Sequence, residues 1–281
     1  MRGNCLICII LFFIFASDHK CYASNCKFIS FNIRYDSGYD GVNCWSNRLP
    51  LICDFFRKEE PDIICLQEVL DNQYVSLCDS LMNYNSYGVG RIDGDRAGEY
   101  APIFYRQDKY NLYSKGTFWL SETPDIAGSI GWDAAQPRIV TWVEFVDKKG
   151  KSFFVLNTHL DDIGMLSRRK SADFILKKIM SFDNSPLILS GDFNDIEDSP
   201  TYKILTGHGS LFDINKIAKK RKGVGYSFHA FGSVAEKIRQ KVDYIFVRNI
   251  KKVKYVDLPR ERLIEKVYLS DHNPIVTVFS Y

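Results

Sequence analysis

The chain has 281 residues, 46% of them hydrophobic and 25% charged, with a formal net charge of +3. That composition excludes a collagen-like, low-complexity or disordered chain and leaves enough apolar material for a substantial core in one large domain. The near balance of charge neither requires nor excludes a polyanionic partner. Two local basic runs, Lys219-Lys220-Arg221-Lys222 and Lys251-Lys252 with Lys254, read either as solvated loops or as patches that meet phosphate.

The first residues stand apart. Arg2 gives a positive start, Leu6 to Ala16 is an unbroken apolar run, and Cys21-Tyr22-Ala23 resembles a small-residue cleavage site. The pattern predicts a signal peptide over residues 1–23, export to the periplasm or beyond, and a single catalytic domain over 24–281. A retained anchor is the competing reading, disfavoured because the run is short for a bilayer span. Removing Arg2, Lys20 and Asp18 together takes the charge from +3 to +2. Of eight cysteines, Cys26, Cys44, Cys53, Cys65 and Cys78 remain, an odd number that is no disulfide framework. Cys53, Cys65 and Cys78 read as small core residues, while a Cys26–Cys44 bridge is open either way.

Short β-rich runs then alternate with helical patterns. FISFNI at Phe28 to Ile33 and IICL at Ile63 to Leu66 are strand-like, and Pro50 between them is suited to open a helix with Leu51, Ile52, Phe55 and Phe56 at helical spacing. A second helical pattern runs from Tyr74 to Met82. Strands are expected at Ala101 to Tyr105, Phe118 to Leu120, Ile139 to Val146 and Ser152 to Thr158, with Asp147-Lys148-Lys149-Gly150 a hairpin turn. Arg168 to Phe182 is amphipathic and leads into the strand at Leu187 to Leu189. Residues 219–241 are expected to be a mobile excursion, before late strands at Val242 to Val247 and Ile275 to Phe279. Mixed in this order, the elements suggest layered α/β or α+β packing.

Six apolar runs carry a polar residue at or beside one end: Asn32, Glu68, His159, Asp192 with Asn194, Asp243, and Asp271-His272. Any one of them has an ordinary structural explanation, such as a turn, a cap or a satisfied core histidine. Their shared chemistry is harder to ascribe to packing. In LILSGDFND, strand alternation projects Asp192 and Asn194 together and turns Phe193 to the other side. Carboxylates and amide oxygens are the hard ligands that Mg2+ or Mn2+ prefers, and no zinc-type spacing of cysteine and histidine is present.

Taken together and in order, FNIR, LQEV, NTHLD, SGDFND, VDYIFV and SDHNP resemble the endonuclease/exonuclease/phosphatase superfamily over roughly residues 27–281. The stretches GTFWLSETPD and GSIGWDAAQPRIVTW further resemble an exported bacterial branch related to the deadenylase-like group. The resemblance implies a four-layer α/β sandwich like that of deoxyribonuclease I, with two packed, mainly antiparallel sheets flanked by helices. It also implies an enzyme that hydrolyses phosphoric esters with Mg2+ or Mn2+. By the same resemblance Glu68 is the principal metal ligand, with Asn32 and Asp271 beside it. Asp192 orients or deprotonates water, Asn194 holds phosphate or that water, and His159 and His272 act at the phosphate, with Asp243 orienting His272. Arg138 and His229 are candidate substrate contacts.

Nucleic acid is the first expectation for the substrate, on the deadenylase-like and nuclease resemblance and the basic runs. A phospholipid head group or a small phosphorylated molecule such as an inositol phosphate is the alternative, because one fold hosts many substrates. Trp119, Trp132 and Trp142 read either as base-stacking platforms or as buried strand aromatics. A monomer without an obligate protein partner is expected. A non-catalytic binding protein is disfavoured because every expected catalytic position is filled. A serine hydrolase is disfavoured because no G-x-S-x-G occurs.

Overall fold

The computed structural model describes residues 24–209, 211–261 and 263–281, so the expected signal peptide lies outside the described residues. The elements in chain order are β1 (Asn25–Asn32), α1 (Trp45–Glu59), β2 (Ile63–Gln67), α2 (Asp71–Ser80), β3 (Tyr84–Tyr87), β4 (Ile103–Arg106) and β5 (Tyr110–Trp119). There follow β6 (Ile139–Asp147), β7 (Ser152–His159), α3 (Met165–Ser181), β8 (Leu187–Asp192), α4 (Pro200–Thr206), β9 (Phe212–Asp213), α5 (Ile214–Ile217) and β10 (Arg221–Gly223). Last come β11 (Asp243–Arg248), β12 (Lys252–Leu258), β13 (Leu263–Ile264), β14 (Val267–Tyr268) and β15 (Ile275–Ser280).

Two large sheets face each other. One has seven strands in the order β10-β12-β15-β1-β2-β4-β3, the other six in the order β5-β6-β7-β8-β11-β9. Pairing is mostly antiparallel, with β1–β2, β7–β8 and β10–β12 parallel. The pleat sorts side chains into three large cores, besides a small cluster of Ala101, Trp119 and Ile139. Phe28, Ile63, Cys65, Val155, Ile188 and Ile245 pack between the sheets. Their chain neighbours Ile29, Ile64 and Leu66 pack outward with Ile52 and Phe56 of α1 and Leu77 of α2. On the other side Leu156, Leu187, Leu189 and Phe246 pack outward with Ala172, Ile175 and Ile179 of α3 and Leu205 of α4. The result is the four-layer α/β sandwich expected from the motifs.

Several expectations are corrected. Helix α1 begins at Trp45, with Pro50 inside it rather than at its start. The cause is tertiary: buried Arg48 donates to the carbonyls of Asn43 (2.6 Å), Ile33, Arg34 (3.1 Å), Tyr35 and Leu269, which draws the first turn onto the chain leaving β1. Those bonds offset the one ladder hydrogen bond that proline removes. The basic run at Lys251 to Lys254 is not a loop but enters strand β12, where Val253, Val256 and Leu258 are buried and Lys252 is exposed. Strand β5 is ten residues long rather than three. The Asp147–Gly150 turn forms as expected, with Gly150 at φ 79°. The five described cysteines are all unpaired, which excludes a Cys26–Cys44 bridge in this structure.

Residues 219–241, expected to be mobile, are tied to the sheet edge. Ser227 N and Phe228 N donate to Gln240 O, His229 N and Ala230 N donate to Asp271 O, and Asn273 N donates to Ser227 O. Ser227 Oγ also accepts from the backbone of Val242 and Asp243. Backbone bonds of this kind leave no signature in composition.

A buried amide link crosses between the sheets behind the site. Gln67 Nε2 of β2 donates to Asn157 Oδ1 of β7 at 2.7 Å, and Asn157 Nδ2 donates to the carbonyls of Leu66 (2.7 Å) and Pro102 (3.0 Å). Both residues are fully buried. Asn157→Ala removes three buried hydrogen bonds at once, leaving Gln67 Nε2 only its long contacts to Ser30 Oγ (3.4 Å) and Cys65 O (3.5 Å) and Pro102 O only Leu66 N, and each lost bond is worth about 1 kcal/mol. The expected destabilisation is about 3 kcal/mol or more, read as a lower urea midpoint at unchanged slope.

Candidate active site

The residues that face inward along the strands continue past the last apolar one and become polar. Phe28 and Ser30 lead to Asn32, Val155 and Asn157 to His159, Ile188 and Ser190 to Asp192, and Val247 and Ile245 to Asp243, each at two-residue spacing. Hydrogen bonds show where they meet. Asn32 Nδ2 donates to Glu68 Oε1 and to Asp192 Oδ2, 3.0 Å in each case. Glu68 Oε2 accepts from Tyr35 N at 3.1 Å. Glu68 itself has left the strand, with φ at 61°, which turns its carboxylate toward the other sheet's edge.

Asp192 lies between the two histidines, because β8 runs between β7 and β11. His159 Nε2 and His272 Nε2 are each 3.7 Å from Asp192 Oδ2. His272 Nδ1 is 2.8 Å from Asp243 Oδ2. Asn194, at φ 47°, donates its Nδ2 to Leu160 O (3.0 Å) and faces His159 Nε2 at 2.9 Å, while its N–H donates to Asp192 Oδ1. Phe193 points the other way into the core beneath α4. With both Nδ2 hydrogens committed, His159 Nε2 accepts and the ring proton sits on Nδ1.

The environment splits the two histidines. Burial, then the cations Arg138 and Arg91, hold His159 well below the ordinary imidazole range, so the ring is neutral. Burial also opposes charge on His272, but Asp243, with Asp192 and Asp271, outweighs it and holds that ring well above the ordinary range. Asp192 is pushed up to about 7 by burial and the Asp243 charge. Burial, Asp271 and Glu99 raise Glu68. Titratable groups driven apart in this way are the mark of acid and base work.

These side chains line a cleft of about 450 Å³ together with Arg34, Tyr35, Arg91, Glu99, Gln136, Arg138, Asp162 and Phe228. Arg138 is in the cleft wall but is not a surface residue. Its Nε and Nη2 bind Asp161 (3.1 Å) and Asp162 (2.7 Å), and its side chain is 4% exposed. His229 is elsewhere. It is fully buried behind the Asp271–His272 turn, lining a separate small cavity with Tyr268 and Asn273, and its Nδ1 accepts from Gly232 N. Burial takes its pKa down to about 4. None of Trp119, Trp132 and Trp142 lines the cleft; Trp119 Nε1 bonds Arg91 O and Trp142 packs on Phe182.

Sequence reading missed Arg91 and Glu99, which sit in a loop without periodicity, and Arg34, which was visible in the FNIR motif but carried no assigned role. The basic runs do not line the cleft either. Arg221 and Lys222 border a different groove, and Lys252 pairs with Ser280 at the end of the sheet away from Asp271.

The donor set suits a hard divalent cation. Glu68, His159 and Asp192 present ligand atoms within 4.8 Å of one another, and Asp271 lines the same cleft. Buried carboxylates this close repel one another, and a cation is the ordinary remedy. In the second such group, Asp192 with Asp243 and His272, the imidazole already holds Asp243 Oδ2 through Nδ1. Asn32 turns its NH2 to the carboxylates and accepts from Arg34 N with Oδ1, so in this orientation it holds the acidic groups in place.

A sandwich whose inner strand ends gather acid, amide and imidazole groups around one cleft is the architecture of a phosphoesterase. The chain belongs to the endonuclease/exonuclease/phosphatase family, whose sequence profile matches residues 29–272; its members act on phosphoric ester bonds. The structure is similar to that of an endonuclease/exonuclease/phosphatase from Bacteroides vulgatus, with a TM-score of 0.88 and 42% identity, covering 91% of this chain and 98% of that one. It is also similar to the Bacteroides thetaiotaomicron mannosyl-6-phosphatase, with a TM-score of 0.84 and 33% identity, covering 91% of this chain and 100% of that one. The 3'-5'-exoribonuclease subunit Ccr4 of the CCR4-Not complex from Aspergillus niger is 26% identical over 229 residues. That match spans 64% of this chain but 35% of the Ccr4 protein.

Two outcomes are expected from this geometry. His272→Ala should lower turnover by about 10²- to 10⁴-fold with folding retained. Asp243→Asn should lower it and shift the pH profile downward. The double variant should be little worse than His272→Ala alone, and additive losses measured at one pH would show that the pair does not act as a unit. His229 carries the second. Its folded pKa lies below the unfolded value, so the stability it contributes is complete above about pH 6.5 and is lost as pH falls toward 4. His229→Phe should remove on the order of 3 kcal/mol of that acid-side loss, visible as a flatter dependence of the urea midpoint on pH.

Proposed function

We propose that this phosphoesterase is a divalent-cation-dependent enzyme acting on a compact phosphate ester, a monoester of a small alcohol, and that it works after export. The observation that carries the substrate class is the pairing of the cleft's cations. Arg34 is bound to Asp40, Arg91 to Glu99, and Arg138 to Asp161 and Asp162. A nucleic acid needs a run of uncompensated positive charge along its backbone. The basic runs that would supply it lie away from the cleft. The mannosyl-6-phosphatase, named for a monoester and matched along its whole length, supports the same reading. The exoribonuclease similarity keeps nucleic acid as the second reading, over a smaller share of each chain.

In this reading Glu68 and Asp271 would hold Mg2+ or Mn2+, with Asn32 fixing Glu68 against Asp192. The bound cation would polarise a phosphoryl oxygen and stabilise charge developing on the phosphate. Asp192 would orient the attacking water and take its proton. Protonated His272, fixed by Asp243, would donate at the phosphoryl group and give its proton to the alcohol oxygen as the ester P–O bond breaks. Asn194, through its amide, holds the neutral ring of His159 in place beside Asp192.

Turnover of phenyl phosphate, bis(p-nitrophenyl) phosphate, an RNA oligomer, sphingomyelin and an inositol phosphate with Mg2+ or Mn2+ tests the assignment. The two monoesters, phenyl phosphate and the inositol phosphate, are expected to be turned over faster than RNA, the diester and sphingomyelin, and excess chelator to abolish activity. RNA or the diester exceeding the monoesters would overturn the substrate class. Glu68→Gln should weaken cation affinity by at least about 10-fold, the lower end of what even an outer-shell partner costs when lost.

A further inference from the structure

We infer that Arg91, Glu99 and Arg138 form a hydroxyl-recognition subsite on the His159 side of the cleft, so that the alcohol released is a sugar or another polyol. The inference rests on the monoesterase reading and deepens it.

Strand order places this wall. Asp192 is on β8, His159 on the neighbouring β7, and Arg138 stands immediately before β6, the next strand out. Glu99 Oε2 is 3.7 Å from His159 Nδ1 and accepts from Arg91 Nη1 at 2.9 Å. The three side chains are 12%, 18% and 4% exposed in the order Arg91, Glu99, Arg138, so their polar atoms are held where water is scarce. The loop that carries Arg91 and Glu99 is closed by its own backbone, Arg91 N to Glu99 O at 3.0 Å, and anchored by Trp119 Nε1 to Arg91 O at 2.7 Å. Asp161, which orients Arg138, is itself held by the N–H groups of Ala135, Ile163 and Gly164.

Those bonds explain the rigidity of the wall but not its remaining donors. Arg91 Nε, Arg138 Nη1 and His159 Nδ1 are buried and have no hydrogen-bond partner. A buried donor left unpaired costs about 1–3 kcal/mol, and three in one wall of a substrate cleft are explained by a ligand that accepts from them. A second phosphate fits poorly, because two arginines stand against three carboxylates, Glu99, Asp161 and Asp162, and the wall is net negative. A hydroxyl fits both signs at once: it accepts from a guanidinium N–H and donates to Glu99. Adjacent hydroxyls on a polyol match the alternation of donors and acceptor, and a site built to bond a hydroxyl discriminates strongly against analogues that lack it.

The test compares kcat/KM for hexose 6-phosphates and glycerol phosphate with that for phenyl phosphate, which offers the same phosphate without hydroxyls. Wild-type enzyme should prefer the polyol esters. Glu99→Gln keeps the shape and an acceptor for Arg91 and should lower kcat/KM for the polyol esters by roughly 10- to 100-fold, mainly through KM, the size of one charged hydrogen bond. The loss on phenyl phosphate should be several-fold smaller. Arg91→Lys should shift the ratio in the same direction, and it serves as the second variant because buried Arg138 also holds two loops. An unchanged ratio in both folded variants, or a wild-type preference for phenyl phosphate, would overturn the subsite while leaving a monoesterase. Turnover of RNA or diester with no monoester turnover would instead remove the reading on which the subsite rests.

Discussion

The structure is organised around the cost of holding several carboxylates together out of water. Glu68, Asp192, Asp243 and Asp271 converge at one sheet edge, and the last three are almost fully buried. Isolated, such charges would be neutralised by protonation or pushed apart. Here each has a specific restraint. Asn32 bridges Glu68 and Asp192, the chain after β1 gives Tyr35 N to Glu68, Asn194 N holds Asp192, and His272 faces Asp243. Ser270 Oγ joins Asp271 to the Asn32 carbonyl, linking the two motifs that are most distant in sequence. Burial first, and then their mutual repulsion, raises Glu68 and Asp192, and a cation beside them would relieve both.

Much of this was legible because one periodicity builds both the core and the site. Along β1, β7, β8 and β11 the inward-facing positions are apolar through the middle of the sandwich and polar at its edge. The register that buries Phe28, Val155, Ile188 and Ile245 therefore also delivers Asn32, His159, Asp192 and Asp243 to the same place. A slip of one residue would lose the core and the site together. Glu68 departs from that rule by a left-handed turn at its own Cα, a conformation that an isolated sequence does not announce. The amide link from Gln67 to Asn157 makes the transition between apolar interior and acidic edge, fixing the spacing of the sheets where hydrocarbon packing ends.

What the sequence concealed depends on backbone bonding or on mixed character. Strand β12 alternates lysine with valine and tyrosine, and the lysines masked its buried face. Helix α1 starts ahead of its proline because Arg48 finds five carbonyls in the tertiary structure, none of them predictable from helix propensity. The segment before β11 is polar and turn-rich, yet it clamps the Asp271–His272 turn through main-chain donors. His229 contributes its backbone to that clamp while its ring is buried behind it, so a histidine that looked like a substrate contact is part of the support. Arg91 and Glu99 lie in a loop whose geometry is set by Trp119 and by its own cross-links, with no strand end to mark them.

The two sides of Asp192 differ in kind, and the difference ties recognition to chemistry. On the β11 side an acid, Asp243, keeps His272 charged. On the β7 side burial together with Arg138 and Arg91 keeps His159 neutral. Exchanging those surroundings would leave both rings present but reverse which of them carries the positive charge beside Asp192. The arginines therefore have an electrostatic effect of their own, and Glu99, between Arg91 and His159 and close enough to raise Glu68, belongs to both neighbourhoods. A substrate that reorganises Arg91 and Glu99 must alter the field at His159 and Glu68 at the same time. In the proposed subsite, selectivity for the alcohol and stabilisation of the reacting phosphate would thus be coupled through a single carboxylate rather than built on separate walls of the cleft.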